Sequence, residues 1–128
     1  MMRDYDRITH ILWAIDDALE STDGIAKEDF MENKDKRAAA ERYVMIVGEA
    51  AHMVSEEMKL EHPEVEWDRI TGLRNMIAHE YMRVDYSALW ETVRGLLPTM
   101  RVQLAAIQAA LPMPNDNLNL ETEMKGTS

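Results

Sequence analysis

The stretch DYSALWETVRGLLPTMRVQLAAIQAAL, residues 85–111, decides the fold. Its apolar residues Leu89, Val93, Leu96, Leu97, Met100, Leu104, Ile107 and Leu111 advance mainly in steps of three and four. That period gathers them on one face of an α-helix, whereas a strand would alternate them. Asp85 stands where an N-cap is needed, since its carboxylate accepts from the unpaired N–H groups of a first turn. Pro98 has no N–H for the carbonyl four residues back, so the helix is expected to kink or restart there, helped by Gly95.

The same period recurs upstream. From Arg3 to Glu20, Ile8, Ile11, Leu12, Ile15 and Leu19 form one helical face. Trp13 projects roughly 140° away from Ile8 and is expected either on the surface or at an interface between chains. Ser21–Gly24 carries turn chemistry, and Lys27–Lys34 suits a short helix that packs Phe30 and Met31. A second long helix is expected from Asp35, as N-cap, to near Glu61, on the period of Ala39, Tyr43, Ile46, Val47, Ala50, Val54 and Met58. Pro63 ends it. Gly48 and Ala51 are small enough to admit a neighbouring helix closely, which predicts a central position. EHPEVEW, residues 61–67, reads as an extended connector with Val65 and Trp67 as core plugs. Asp68 is the expected cap of a third helix carrying Ile70, Leu73 and Ile77, which breaks near Tyr81–Val84.

A chain of 128 residues with 46% hydrophobic residues, Gly 5 and Pro 4 suits one core and offers little of the punctuation of a many-stranded fold. The expectation is an all-α domain over residues 1–111. After it PMPNDNLNLETEMKGTS, residues 112–128, loses the period and is expected to be a disordered tail. A net charge of −10 argues against holding nucleic acid or an anionic membrane by bulk electrostatics. Cys 0 excludes a disulfide framework and a cysteine nucleophile, and fits a reducing compartment. The charged opening MMRDYDRITH and the lack of an apolar run near ~20 residues lead to the expectation of a cytoplasmic protein without a membrane partner.

Chemistry concentrates in GLRNMIAHEYMRVD, residues 72–85. Residues 69–101 carry five arginines against Glu80, Asp85 and Glu91, a local net of +2 inside a chain of −10. Arginine grips phosphate through a planar fork of donors, so any phosphate site belongs here. Asn75 and His79, four apart, share a helical face. Arg74 and His79, five apart, lie about 140° around the axis with a rise of ~7.5 Å. They cooperate only through irregular backbone before Tyr81 or through a homodimer that places two copies around one cleft. Glu49 and His52 have the Glu-x-x-His spacing of di-iron bundles, but that fold needs two copies and further carboxylates, so ordinary helix residues and no metal are expected. No serine lies in a Gly-x-Ser-x-Gly context, and no Gly-rich phosphate loop is present.

RNMIAHEY, with Arg74, four intervening residues, His79, and Tyr81 two later, resembles the Arg-X4-His-X-Tyr motif of HepT-like toxins in the HEPN superfamily. ILWAIDDAL, VGEAAHMVSEE, PEVEWDRITGLRN and VDYSALWETVRGLLP resemble that family's flanks in the same order, so the likeness covers about residues 5–105. It implies an up-and-down bundle of four to five helices, homodimeric, acting as a metal-independent endoribonuclease on single-stranded RNA, not DNA. It implies also a toxin silenced by a minimal nucleotidyltransferase antitoxin that adds AMP to the motif tyrosine. On this chain Arg74 and His79 are then the catalytic candidates, Asn75 a supporting residue and Tyr81 the AMP acceptor, with no cofactor.

Metal-free RNA cleavage needs a base for the 2′-hydroxyl proton, an acid for the leaving 5′-oxygen and positive charge on the phosphorane. Histidine and arginine supply these, and the expected product is a 2′,3′-cyclic phosphate. Two other classes use the same residues: a non-catalytic nucleotide- or RNA-binding module, and a docking partner of a nucleotidyltransferase.

Overall fold

The computed structural model describes residues 3–112, so the expected tail lies almost wholly outside the described residues. Helix α1 (Asp4–Ser21) opens with Asp4 and Asp6 in its first turn, where carboxylates meet the free N–H groups. It buries Ile8, Ile11 and Ile15 completely. The chain leaves it through a turn in which Gly24 takes φ +75°, a conformation that favours glycine. Helix α2 (Lys27–Glu32) buries Phe30 against Trp90, ring centroids 5.1 Å apart. Met31 does not join it: six residues make fewer than two turns, and the face that seats Phe30 turns Met31 to solvent.

Helix α3 (Lys34–His52) begins on Asn33, whose side-chain oxygen accepts from the Lys36 N–H at 3.0 Å. Asn33 already holds the extended conformation of a cap, so Asp35 falls in the first turn instead of before it. Nor does the helix run on to Glu61. It stops at His52, and α4 (Glu56–Glu61) starts afresh on Ser55, whose hydroxyl accepts from the Met58 N–H at 3.2 Å. The Ser55 N–H and hydroxyl in turn donate to Asp4 at 2.9 and 2.6 Å. A cap tied to another helix has outcompeted one more helical turn. Val54 and Met58 stay buried across the break, so the apolar period survives while the helix does not.

Val65 and Trp67 plug the core at the end of the connector, as expected. The Trp67 indole donates to the His62 carbonyl at 2.9 Å, which sets the start of α5 (Trp67–His79) at the tryptophan itself. Asp68 therefore sits in the first turn and Glu66 at the cap position. A 3-10 turn, Tyr81–Arg83, follows. Asp85 then caps α6 (Tyr86–Glu91) by accepting from the Ala88 N–H at 3.0 Å. The expected irregularity at Pro98 takes the form of a π-helical turn, Thr92–Leu96, before α7 (Leu97–Ala110). Pro98 occupies the first turn of α7, where a missing N–H costs little.

Among the described residues there is no strand, and seven α-helical segments replace the expected four to five because the breaks at 53–55 and 92–96 divide two of them. The fold is an all-α bundle. Helix α3 lies between α1 and α5, as its small residues predict, and α1 also packs on α7. Gln108 fastens that last pair by donating to the Tyr5 carbonyl at 3.0 Å and to the Thr9 hydroxyl at 2.7 Å. No helix among the described residues is long and apolar enough to cross a membrane.

Candidate functional site

Helix α5 presents Arg74, Asn75 and His79, and its placement depends on Gly48. A Cβ built on Gly48 would stand 2.3 Å from the Arg74 Cβ and 3.1 Å from the Ile70 carbonyl oxygen. Only a hydrogen side chain lets α3 and α5 meet here. The contact sets the root of Arg74 against α3 and leaves its side chain partly buried.

From that root the guanidinium runs along α3 to Glu49. Arg74 Nε donates to Glu49 Oε1 at 2.8 Å and Nη2 donates to the same oxygen at 2.5 Å. Nη1 donates to Asn75 Oδ1 at 2.7 Å. Three of the five N–H groups of the arginine are thereby engaged, and each terminal nitrogen keeps one free. Asn75 braces the arginine and not His79, although it shares a helical face with the histidine.

His79 is the last residue of α5 and is exposed. Among the described residues no hydrogen bond or ion pair engages its imidazole. It lines a shallow depression of about 260 Å³ with Glu80, Met82 and Arg83. Arg83 is likewise unpaired among the described residues. The backbone turns sharply just past His79: the Glu80 N–H closes α5 on the Met76 carbonyl at 2.8 Å, and the Arg83 N–H returns to the Glu80 carbonyl at 2.7 Å. Tyr81 opens this turn.

The irregular backbone expected before Tyr81 is present, and it lies past both Arg74 and His79. Helix α5 is regular through His79, the irregular backbone begins only at Glu80, and no hydrogen bond joins the two residues. The structure also adds Glu49 to the group. Its spacing to His52 is that of a metal pair, yet its carboxylate accepts from Arg74. The available signal was its place next to Gly48, the residue marked for close approach. Among the described residues no three His, Asp or Glu side chains gather as metal ligands.

Comparison with known proteins gives the same direction. The profile of the family described as Ribonuclease HepT-like matches residues 11–107. A protein of Methanocaldococcus jannaschii whose name ascribes RNase activity to it is 32% identical over 97 residues, 76% of this chain and 89% of its own. One from Caldanaerobacter subterraneus subsp. tengcongensis, also with an ascribed RNase name, is 33% identical over 100 residues, 78% of this chain and 89% of its own. One from Thermococcus cleftensis, named probable ribonuclease HepT, is 33% identical over 96 residues, 75% of this chain and 87% of its own. No solved structure matches the chain significantly.

Proposed function

This chain belongs to the HepT-like ribonuclease family, and from that premise we propose that it is an RNA-cleaving toxin acting in the cytoplasm as a homodimer, with Arg74 and His79 at its site. The observation that carries the reading is the pairing of an anchored arginine fork with an unengaged histidine on the last turn of α5.

In this reading the cleft is shared between two chains, in keeping with the lack of any hydrogen bond between Arg74 and His79 within one. One His79 accepts the proton of the RNA 2′-hydroxyl as its oxygen attacks the adjacent phosphorus. The second His79 donates a proton to the departing 5′-oxygen. The free N–H groups of Arg74 meet the charge that develops on the phosphorane oxygens, where a preorganised donor is most effective. The P–O5′ bond breaks as the P–O2′ bond forms, leaving a 2′,3′-cyclic phosphate and a 5′-hydroxyl. Glu49 and Asn75 are positioning residues that hold the guanidinium from opposite sides.

Silencing follows from the same place. A nucleotidyltransferase antitoxin transfers AMP from ATP to Tyr81, two residues beyond His79, with release of pyrophosphate, and the added phosphate repels RNA from the cleft. Two experiments test this. Purified protein cuts single-stranded RNA in EDTA to cyclic-phosphate ends, and His79→Ala, with an unchanged circular dichroism spectrum, does not; undiminished cutting by the variant overturns the catalytic assignment. Co-expression with a cognate nucleotidyltransferase antitoxin is expected to raise the intact mass in AMP units, and Tyr81→Phe to abolish the increase. An increase that persists in Tyr81→Phe places the modification elsewhere.

A further inference from the structure

Nine arginines fall among the described residues, and the surrounding chain is rich in carboxylates. Most of these arginines are engaged: Arg69 with Glu66, Arg74 with Glu49, Arg94 with Thr22 and Arg101 with Asp16, while Arg37 meets a backbone carbonyl and the Tyr86 ring. Arg7, Arg42 and Arg83 have no such partner among the described residues. Arg83 lies beside His79, and the other two face a single groove.

That groove, of about 440 Å³, runs between α1 and α3 and is lined in part by Arg7, His10, Arg42, Ile46, Glu49 and Met53. Arg42, Ile46 and Glu49 follow one another at helical spacing along one face of α3, and Met53 stands just past its end. Arg7 and His10 answer them from α1. One turn further along α1 stands Trp13, 64% exposed, its ring tilted over His10 with centroids 5.8 Å apart. Among the described residues Glu49 is the one carboxylate lining the groove, and Arg74 already neutralises it. The groove therefore keeps the positive charge of two free guanidinium groups in a chain of net −10. The larger depression beside α4, about 790 Å³, instead carries Glu56, Glu66 and Asp68 against Lys59 and Arg69.

We propose that the groove between α1 and α3 is a track for single-stranded RNA, with backbone phosphates on Arg7 and Arg42 and a base stacked on Trp13. This rests on the ribonuclease reading and deepens it. Because Glu49 both lines the groove and holds Arg74, a strand lying in the groove is led to the arginine of the cleft. Charge selects the occupant. A second copy of this chain docked groove to groove about a two-fold axis would bring the same cationic lining from both sides, with no free carboxylate among the described lining residues to pair it. A polyanion with stackable rings satisfies both the guanidinium groups and the exposed indole.

The test measures binding of a labelled single-stranded RNA of about twelve nucleotides to the full chain carrying His79→Ala, which prevents cutting. Adding Arg7→Ala and Arg42→Ala together is expected to weaken binding about tenfold or more, and to reduce the slope of log K against log salt by about 1.4, since each lost phosphate contact removes about 0.7 on a single strand. Adding Trp13→Ala is expected to weaken binding about tenfold with the slope unchanged, the behaviour of a lost stacking contact. Light scattering is expected to give the same assembly for every variant. Undiminished RNA binding in the arginine and tryptophan variants overturns the track. A changed assembly with undiminished RNA binding overturns it too and makes the groove an interface between copies. Should the parent protein cut no RNA while the groove variants lose binding, the catalytic reading falls and the track stands. Cutting by the parent with undiminished binding by the variants is the reverse result.

Discussion

Arg74 gives more N–H groups to its own chain than it leaves for a substrate, and that division defines Glu49. The ion pair is too exposed to matter for stability, since such pairs contribute only about 0–1 kcal/mol. Its effect is on direction: a guanidinium held on two sides offers its remaining donors in one orientation, and a misplacement of about 1 Å costs roughly a hundredfold in rate. Glu49→Ala is accordingly expected to lower kcat for RNA cleavage by tenfold to a hundredfold, with KM unchanged or smaller because the freed arginine still attracts phosphate. Glu49→Gln, which keeps an acceptor in place, is expected to recover part of the loss. A rise in KM at constant kcat would show that Glu49 does not orient the arginine. Arg74, Asn75, His79 and Tyr81 stood out in the sequence because their spacing is local. Glu49 did not, because it meets Arg74 across 25 positions of chain and only through a close helix contact.

The contact between α3 and α5 turns on one hydrogen atom. Gly48→Ala would ordinarily favour a helix by about 1 kcal/mol. Here the new methyl group lands on the Arg74 Cβ, which is bonded to the backbone of α5 and cannot rotate away, so the helices must separate. Overpacking of this kind costs about 1–3 kcal/mol, and the loss wins. A lower melting temperature is expected, together with a fall in cleavage larger than the stability loss explains, because the root of Arg74 moves. A melting temperature equal to or above that of the parent refutes the close approach. Helix positions were readable wherever apolar residues kept step, and Asp85 and Pro98 acted as read. The break after His52 was hidden because Val54 and Met58 hold the period on either side of it. What interrupts the helix is Ser55 gripping Asp4, a partner 51 residues away that no local pattern contains. The cap at Asn33 in place of Asp35, and the start of α5 at Trp67 in place of after Asp68, are choices between adjacent polar residues that only the packed chain decides.

At the scale of the whole molecule, the charge of −10 hides two cationic places: the arginine-bearing segment around α5, legible in the sequence, and the groove of Arg7 and Arg42. The second was not legible because its two arginines sit 35 positions apart on different helices. A cleft built from two chains and using both His79 side chains makes a quantitative demand. When parent and His79→Ala subunits are co-expressed and mix freely, activity per total protein is expected to follow the square of the parent fraction. A linear dependence would mean that each chain works alone.

The bond from Gln108 to Tyr5 spans 103 positions and fastens the last helix to the first. It gives the molecule a timetable. During synthesis Arg74 and His79 leave the ribosome before α7 does, yet α7 supplies Leu97, Met100 and Leu104, all fully buried, to the shared core. Until those side chains arrive, the face of α1 that meets α7 lacks its cover, and the core shared by the bundle is unfinished. A nascent chain stopped before Pro98 is thus an unfinished bundle, in which α1 has met α3 but not yet α7.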